Sequence, residues 1–308
     1  MEPVSRATDV SVAYPGVREP DRTRRVDAFG VQLAVYEWGD AAAPPLLLAH
    51  GGFDFARTFD VFAPLLAAGG HRVVAWDQRG HGRSAQTQLY SWDADVRDAF
   101  AVLESTSSAP LPAVGHSKGG GVLMQLIHAL PQRFTRFANI DGVPSRRGAP
   151  DVVEHERPQA LNEVATEWLD HRRRVASLVR KPGTPEELAL RRQRMNPRLP
   201  LAWLRHLVSV GAQHDPDGWR WCVDPTLRMG GFGPWRPEWV LARLRRFPVP
   251  LHVILGLIPE AMSMGATPES VRPFLPPGAQ LHAFEDSGHF VHIEKPHAVA
   301  ELVLGFLK

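Results

Sequence analysis

The chain opens with polar residues that follow no period, so residues 1–25 read as a loose N-terminal arm. Over residues 31–36 apolar and polar side chains alternate, the pattern of a strand half exposed at a sheet edge. Leu46-Leu47-Leu48-Ala49 and Val73-Val74-Ala75-Trp76 differ in kind, being short and continuously apolar, each followed by a glycine-containing turn. Runs of this type predict strands covered on both faces, as in a parallel sheet. Residues 58–66 and 93–103 carry apolar positions at helical spacing. A buried-strand run at 111–114, a helical pattern at 122–130 and a further strand at 137–140 continue the series. Strand and helix in regular alternation predict a parallel α/β sheet.

After Gly142 the pattern changes. Residues 143–235 are rich in Arg and Trp, helical in spacing and broken by Pro158, Pro182, Pro185, Pro197 and Pro200, with no buried-strand run. The alternation returns at 241–247 and 249–255, passes through a strand pattern at 281–284 and closes on a helical one at 297–307. The simplest organisation is an α/β core at 26–142 and 236–308, interrupted once by a helical cap at 143–235.

Composition narrows the function classes. Hydrophobic residues make up 44% of 308 and charged residues 22%, the balance of a globular chain with a sizeable core. A formal charge of +2 leaves no concentrated basic stripe for nucleic acid. The clusters at 171–174 and 191–194 fall at helical spacing among Leu and Val and read as solvated helix faces. The single Cys222 excludes an internal disulfide, and no Cys/His set has zinc spacing. With neither a signal-like apolar stretch at the start nor a membrane-length apolar run, the expectation is a cytoplasmic protein that needs no membrane, metal or organic cofactor. Oligomeric state stays open, a homodimer included.

The chemistry centres on Gly115-His116-Ser117-Lys118-Gly119-Gly120-Gly121, between a predicted buried strand and a predicted helix. Small residues flanking a serine permit a sharp strand-to-helix turn that lifts Oγ above the sheet edge. His50-Gly51-Gly52 closes the 46–49 strand, where a backbone N–H can face a developing oxyanion. The expected donors are Gly52 and Lys118, the residue after the nucleophile. His289, in Ser287-Gly288-His289-Phe290, sits on a loop able to reach the same edge. Each residue has a plainer reading: Ser117 as a helix cap, His289 as a packing histidine, and His50, His81 and His116 as turn-holders. Lys118 reads as solvent-facing, because a cation at a helix N-terminus opposes the dipole.

Together with Trp76-Asp77-Gln78-Arg79-Gly80-His81-Gly82-Arg83-Ser84, these motifs resemble the α/β-hydrolase superfamily. The similar branch contains cap-bearing esterases, epoxide hydrolases, haloalkane dehalogenases and cofactor-free haloperoxidases. The resemblance implies a mostly parallel central sheet flanked by helices with one helical cap insertion. It also implies Ser117 as nucleophile, where epoxide hydrolases and haloalkane dehalogenases carry Asp. The family's usual place for the acid, after the 249–255 strand, holds Pro259, with Glu260 one residue on. An alternative family location, the end of the strand after the nucleophile helix, holds Asp141. Asp141 is the preferred acid and Glu260 the alternative.

The expected activity is hydrolysis of an apolar ester, lactone or thioester through an acyl-enzyme. Six of nine tryptophans (Trp168, Trp203, Trp219, Trp221, Trp235, Trp239) lie in or beside the insertion, which suits an apolar pocket roof for a small-molecule acyl substrate. A perhydrolase or haloperoxidase, a carbon–carbon bond hydrolase and a receptor-like ligand binder are the alternatives.

Overall fold

The structure, a computed structural model, describes residues 14–143, 157–177, 181–227 and 239–308. In chain order its elements begin with β1 (Arg22–Asp27), β2 (Gln32–Trp38), β3 (Pro45–Ala49), α1 (Phe62–Ala68) and β4 (Arg72–Trp76). There follow α2 (Trp92–Thr106), β5 (Leu111–His116), α3 (Lys118–Ala129) and β6 (Phe134–Ile140). The insertion carries α4 (Arg157–Ser177), α5 (Pro185–Met195), α6 (Leu201–Gly211), β7 (Ala212–Asp215) and β8 (Gly218–Trp221). The chain then returns through α7 (Trp239–Leu244), β9 (Leu251–Gly256), α8 (Pro268–Val271), β10 (Gln280–Phe284), α9 (Val291–Glu294) and α10 (Pro296–Leu307).

Eight strands form one sheet in the order β1-β2-β4-β3-β5-β6-β9-β10, antiparallel at β1–β2 and β2–β4 and parallel beyond. Because side chains alternate across a strand, the successive leucines of β3 serve opposite faces. Leu47 packs with Val74, Ala113, Val102 and Ile127 on the α2/α3 side. Leu46 and Leu48 pack with Val73, Phe62, Leu66 and Val303 on the α1/α10 side. Burying a side chain of this size contributes roughly 1.5–3 kcal/mol, which fixes strand register and with it the loops at the sheet's carboxyl edge.

Three sequence expectations need correction. The N-terminal arm is shorter than 1–25, because Arg22–Asp27 is the edge strand. Its arginines hide the strand pattern, since Arg22 and Arg24 both donate to the buried Glu37 on β2. Strand β2 is therefore not the half-exposed edge: after Gln32 all its residues are buried. The insertion is not purely helical either, since β7 and β8 form an antiparallel hairpin. With residues only half buried or exposed along most of its length, that hairpin leaves no apolar run to read.

Trp203 fills the insertion's own core with Leu188, Leu204 and Leu207, and Phe55 and Phe290 of the α/β core join that cluster. Trp235, one of the expected roof residues, lies outside the described residues. Among the described residues no helix is long and apolar enough to cross a membrane.

Candidate active site

Ser117 stands between β5 and α3 with φ 51° and ψ −123°, a conformation unfavourable to any residue with a Cβ. The surrounding glycines make that turn feasible. A Cβ on Gly115 would stand 2.7 Å from Gly120 Cα, and one on Gly119 would stand 2.4 Å from the Ala49 carbonyl oxygen. The turn is tied to the sheet by Ser117 N–H donating to the Ile140 carbonyl at 3.0 Å.

Three side chains from distant segments meet here. Ser117 Oγ lies 2.9 Å from His289 Nε2, and His289 Nδ1 lies 2.6 Å from Asp141 Oδ2. All three are buried, and Asp141, just past β6, is itself left-handed at φ 46°. A carboxylate only accepts, so the Nδ1 proton faces Asp141, and Nε2 is left to accept the serine hydroxyl.

Glu260 does not reach the imidazole. Its Oε2 accepts the backbone N–H of His289 at 2.6 Å. Glu294 accepts from the neighbouring Gly288 N–H at 2.9 Å, and His116 Nε2 donates to the His289 carbonyl at 2.9 Å. The histidine loop is thus fixed through its backbone, independently of the ring contacts.

The His50-Gly51-Gly52 loop lies against Ser117, since a Cβ on Gly51 would stand 3.1 Å from Ser117 Cβ. His50 fastens this loop, with Nδ1 donating to the Gly51 carbonyl at 2.6 Å and Nε2 accepting from Gln78 N–H at 2.9 Å. Burial pushes its pKa down to about 3, which keeps the ring neutral for both roles. Lys118 is the first residue of α3, so its N–H belongs to the helix's uncommitted donors.

The Lys118 side chain corrects an expectation. Instead of facing solvent it is 7% exposed, with Nζ 2.7 Å from Asp95 Oδ2 on α2. That carboxylate offsets the unfavourable encounter of ammonium and helix dipole. Asp95, which had no sequence signal, belongs to the site's surroundings, and so does Arg192, expected on a solvated helix face but half buried with its guanidinium donating to the Phe53 carbonyl. Both act through contacts between distant elements, which local periodicity does not carry. Among the described residues no three His, Cys, Asp or Glu side chains cluster as metal ligands would.

A doubly covered, mostly parallel sheet carrying a strained serine at its carboxyl edge and a histidine on the last loop defines the class of protein. The family model for the alpha/beta hydrolase family matches residues 46–302, and the chain belongs to that family. It is an enzyme of the α/β-hydrolase type, with lipase and esterase relatives. The chain is 25% identical over 293 residues to the sn-1-specific diacylglycerol lipase ABHD11 of Mus musculus, covering 87% of this chain and 82% of the lipase. To a non-heme chloroperoxidase of Burkholderia pyrrocinia it is 33% identical over 132 residues, 42% of this chain and 44% of the relative. Among solved structures, the thioesterase domain from the curacin biosynthetic pathway superposes with a TM-score of 0.76 at 23% identity, covering 92% of this chain and 99% of that domain.

Proposed function

We propose that this protein is a serine hydrolase cleaving an apolar ester or thioester through an acyl-enzyme on Ser117. The observation that carries the reading is the continuous hydrogen-bonded series from Ser117 Oγ through His289 to Asp141, at 2.9 and 2.6 Å. In this mechanism Oγ attacks the acyl carbon while His289 Nε2 takes its proton, and Asp141 stabilises the imidazolium that forms. The N–H groups of Gly52 and Lys118 receive the oxyanion. His289 returns the proton to the leaving group, then takes one from the incoming water, whose attack on the acyl carbon releases the acid and restores Ser117.

The apolar substrate class is supported by Phe55 and Phe290. Phe290 directly follows His289, Phe55 comes three residues after Gly52, and both seat in the insertion's hydrophobic cluster. Relatives named as a diacylglycerol lipase and an esterase agree with ester hydrolysis. The test is a series of p-nitrophenyl esters of increasing chain length. Hydrolysis that rises with chain length and disappears in Ser117→Ala supports the reading, and rates independent of Ser117 contradict it.

The similarity to a non-heme chloroperoxidase favours a second reading, in which hydrogen peroxide replaces water at the same acyl-enzyme and releases a peracid. Peracid formed from acetate ester and peroxide, faster than ester hydrolysis, would select it.

A further inference from the structure

Phe53, the residue after Gly52, is held at both ends of its own backbone. It adopts φ 56°, a left-handed conformation that a side chain makes costly. Its N–H donates to His81 Nε2 at 3.1 Å, and its carbonyl accepts from Arg192 Nη1 at 3.1 Å. Arg192 lies on α5 of the insertion, so this contact joins the cap to the loop beside the nucleophile.

The His81 end also leads to the insertion. His81 Nδ1 donates to the Arg79 carbonyl at 2.9 Å, which turns Nε2 toward Phe53 as an acceptor. The same turn is pinned from above: His81 makes an antiparallel bridge with Val223, and Asp224 N–H donates to the Gly80 carbonyl at 2.8 Å. Asp224 is fastened in turn by Tyr90, whose hydroxyl lies 2.5 Å from its carboxylate. A guanidinium is well suited to the opposite end. Asp54, the next residue along, is buried, and Arg192 is the foremost influence opposing the upward push of burial on its carboxyl.

We infer that Arg192 is a positioning residue: through the Phe53 carbonyl it holds the left-handed turn that aims the Gly52 N–H at the oxyanion. This rests on the acyl-transfer reading above and extends it, because the insertion then sets the rate on substrates too small to touch it. Donor placement of this kind matters steeply, since loss of one oxyanion donor costs about a hundredfold to a thousandfold in kcat. A displaced donor is expected to cost less, on the order of tenfold to a hundredfold.

The experiment uses the full chain and p-nitrophenyl acetate, with Arg192→Ala, Arg192→Lys and the control Arg191→Ala. Arg191 directs its guanidinium to the Lys181 and Pro182 carbonyls within the insertion. Arg192→Ala is expected to lower kcat about tenfold to a hundredfold with KM within twofold. It should weaken a trifluoromethyl ketone, which mimics the tetrahedral adduct, by a similar factor. Arg192→Lys should recover part of both losses, because one ammonium donor still reaches the carbonyl, and Arg191→Ala should match wild type. A kcat for Arg192→Ala within twofold of wild type, a loss confined to KM, or unchanged trifluoromethyl ketone affinity would overturn the inference. Failure of wild type to react with a fluorophosphonate is a distinct result and would overturn the acyl-transfer reading itself.

Discussion

Asp141 Oδ2 approaches His289 Nδ1 to 2.6 Å although the two residues are 148 positions apart, while Glu260 meets the same histidine only at its backbone N–H. The two carboxylates therefore divide the work, one facing the ring and the other the loop that carries it.

That division sets the first expected outcome. Asp141→Asn keeps shape but favours the wrong imidazole tautomer, a change worth about 10⁴ in kcat in serine proteases. A loss of at least about a thousandfold is expected here. Glu260→Gln retains a carbonyl oxygen to accept the His289 N–H and should lose less than about tenfold. Steady-state kinetics on both folded variants decide, and the reverse ranking would move the acid to Glu260.

The proline at 259 leaves no acidic side chain at the family's usual location, so the sequence points to Asp141, which the structure sets against His289 Nδ1. Ser117 and His289 were legible because each sits in a short motif whose geometry is local. The buried sheet strands were legible for the same reason, through uninterrupted apolar runs. Strand β1 was not, because Arg22 and Arg24 take their stability from Glu37 on the neighbouring strand. The Lys118–Asp95 pair and the Arg192–Phe53 contact were equally hidden, since each joins elements brought together only by the fold.

The Lys118–Asp95 pair gives a stability test. With side-chain exposures of 8% and 5%, removing one partner strands the other away from water. Lys118→Met should cost about 3–5 kcal/mol. Adding Asp95→Leu should recover most of that loss, because apolar pairs often replace buried ion pairs at little cost. Urea unfolding compares the three proteins, and equal stability of wild type and Lys118→Met would contradict the pairing.

Gly119→Ala tests how closely the turn at Ser117 meets the His50-Gly51-Gly52 loop. The added methyl would stand 2.4 Å from the Ala49 oxygen and 2.5 Å from the His50 oxygen, both backbone atoms. The expected cost is about 1–3 kcal/mol of stability and at least about tenfold in kcat. Calorimetry and ester kinetics provide the check, and an unaltered kcat would show that the loop tolerates displacement.

Burial pushes the pKa of His50 and His292 down to about 3 and that of His252 down to about 4, with His81 and His116 also well below the ordinary 6.5. Below pH 6.5 the unfolded chain therefore binds protons that the folded chain refuses, and stability falls as pH drops from there toward 4. Each such histidine costs up to about 1.4 kcal/mol per pH unit. Asp77, pushed up to about 6 by burial, works the other way between that value and 3.8, and offsets one of them.

His292 tests the effect: neither ring nitrogen has a hydrogen-bond partner among the described residues, and its ring packs on Phe59, Phe62 and the likewise depressed His116. His292→Phe should raise stability at pH 5 and flatten the acid limb by about one proton. Urea midpoints across pH 5–8 measure it, and a uniform loss at every pH would contradict it.

The most direct measurement treats the purified protein with a fluorophosphonate and locates the adduct by peptide mass spectrometry. A single adduct on Ser117, absent from Ser117→Ala and strongly slowed in Asp141→Asn, is the expected result. An adduct on another residue, or undiminished labelling and ester hydrolysis in Ser117→Ala, would contradict the assignment of Ser117 as the nucleophile.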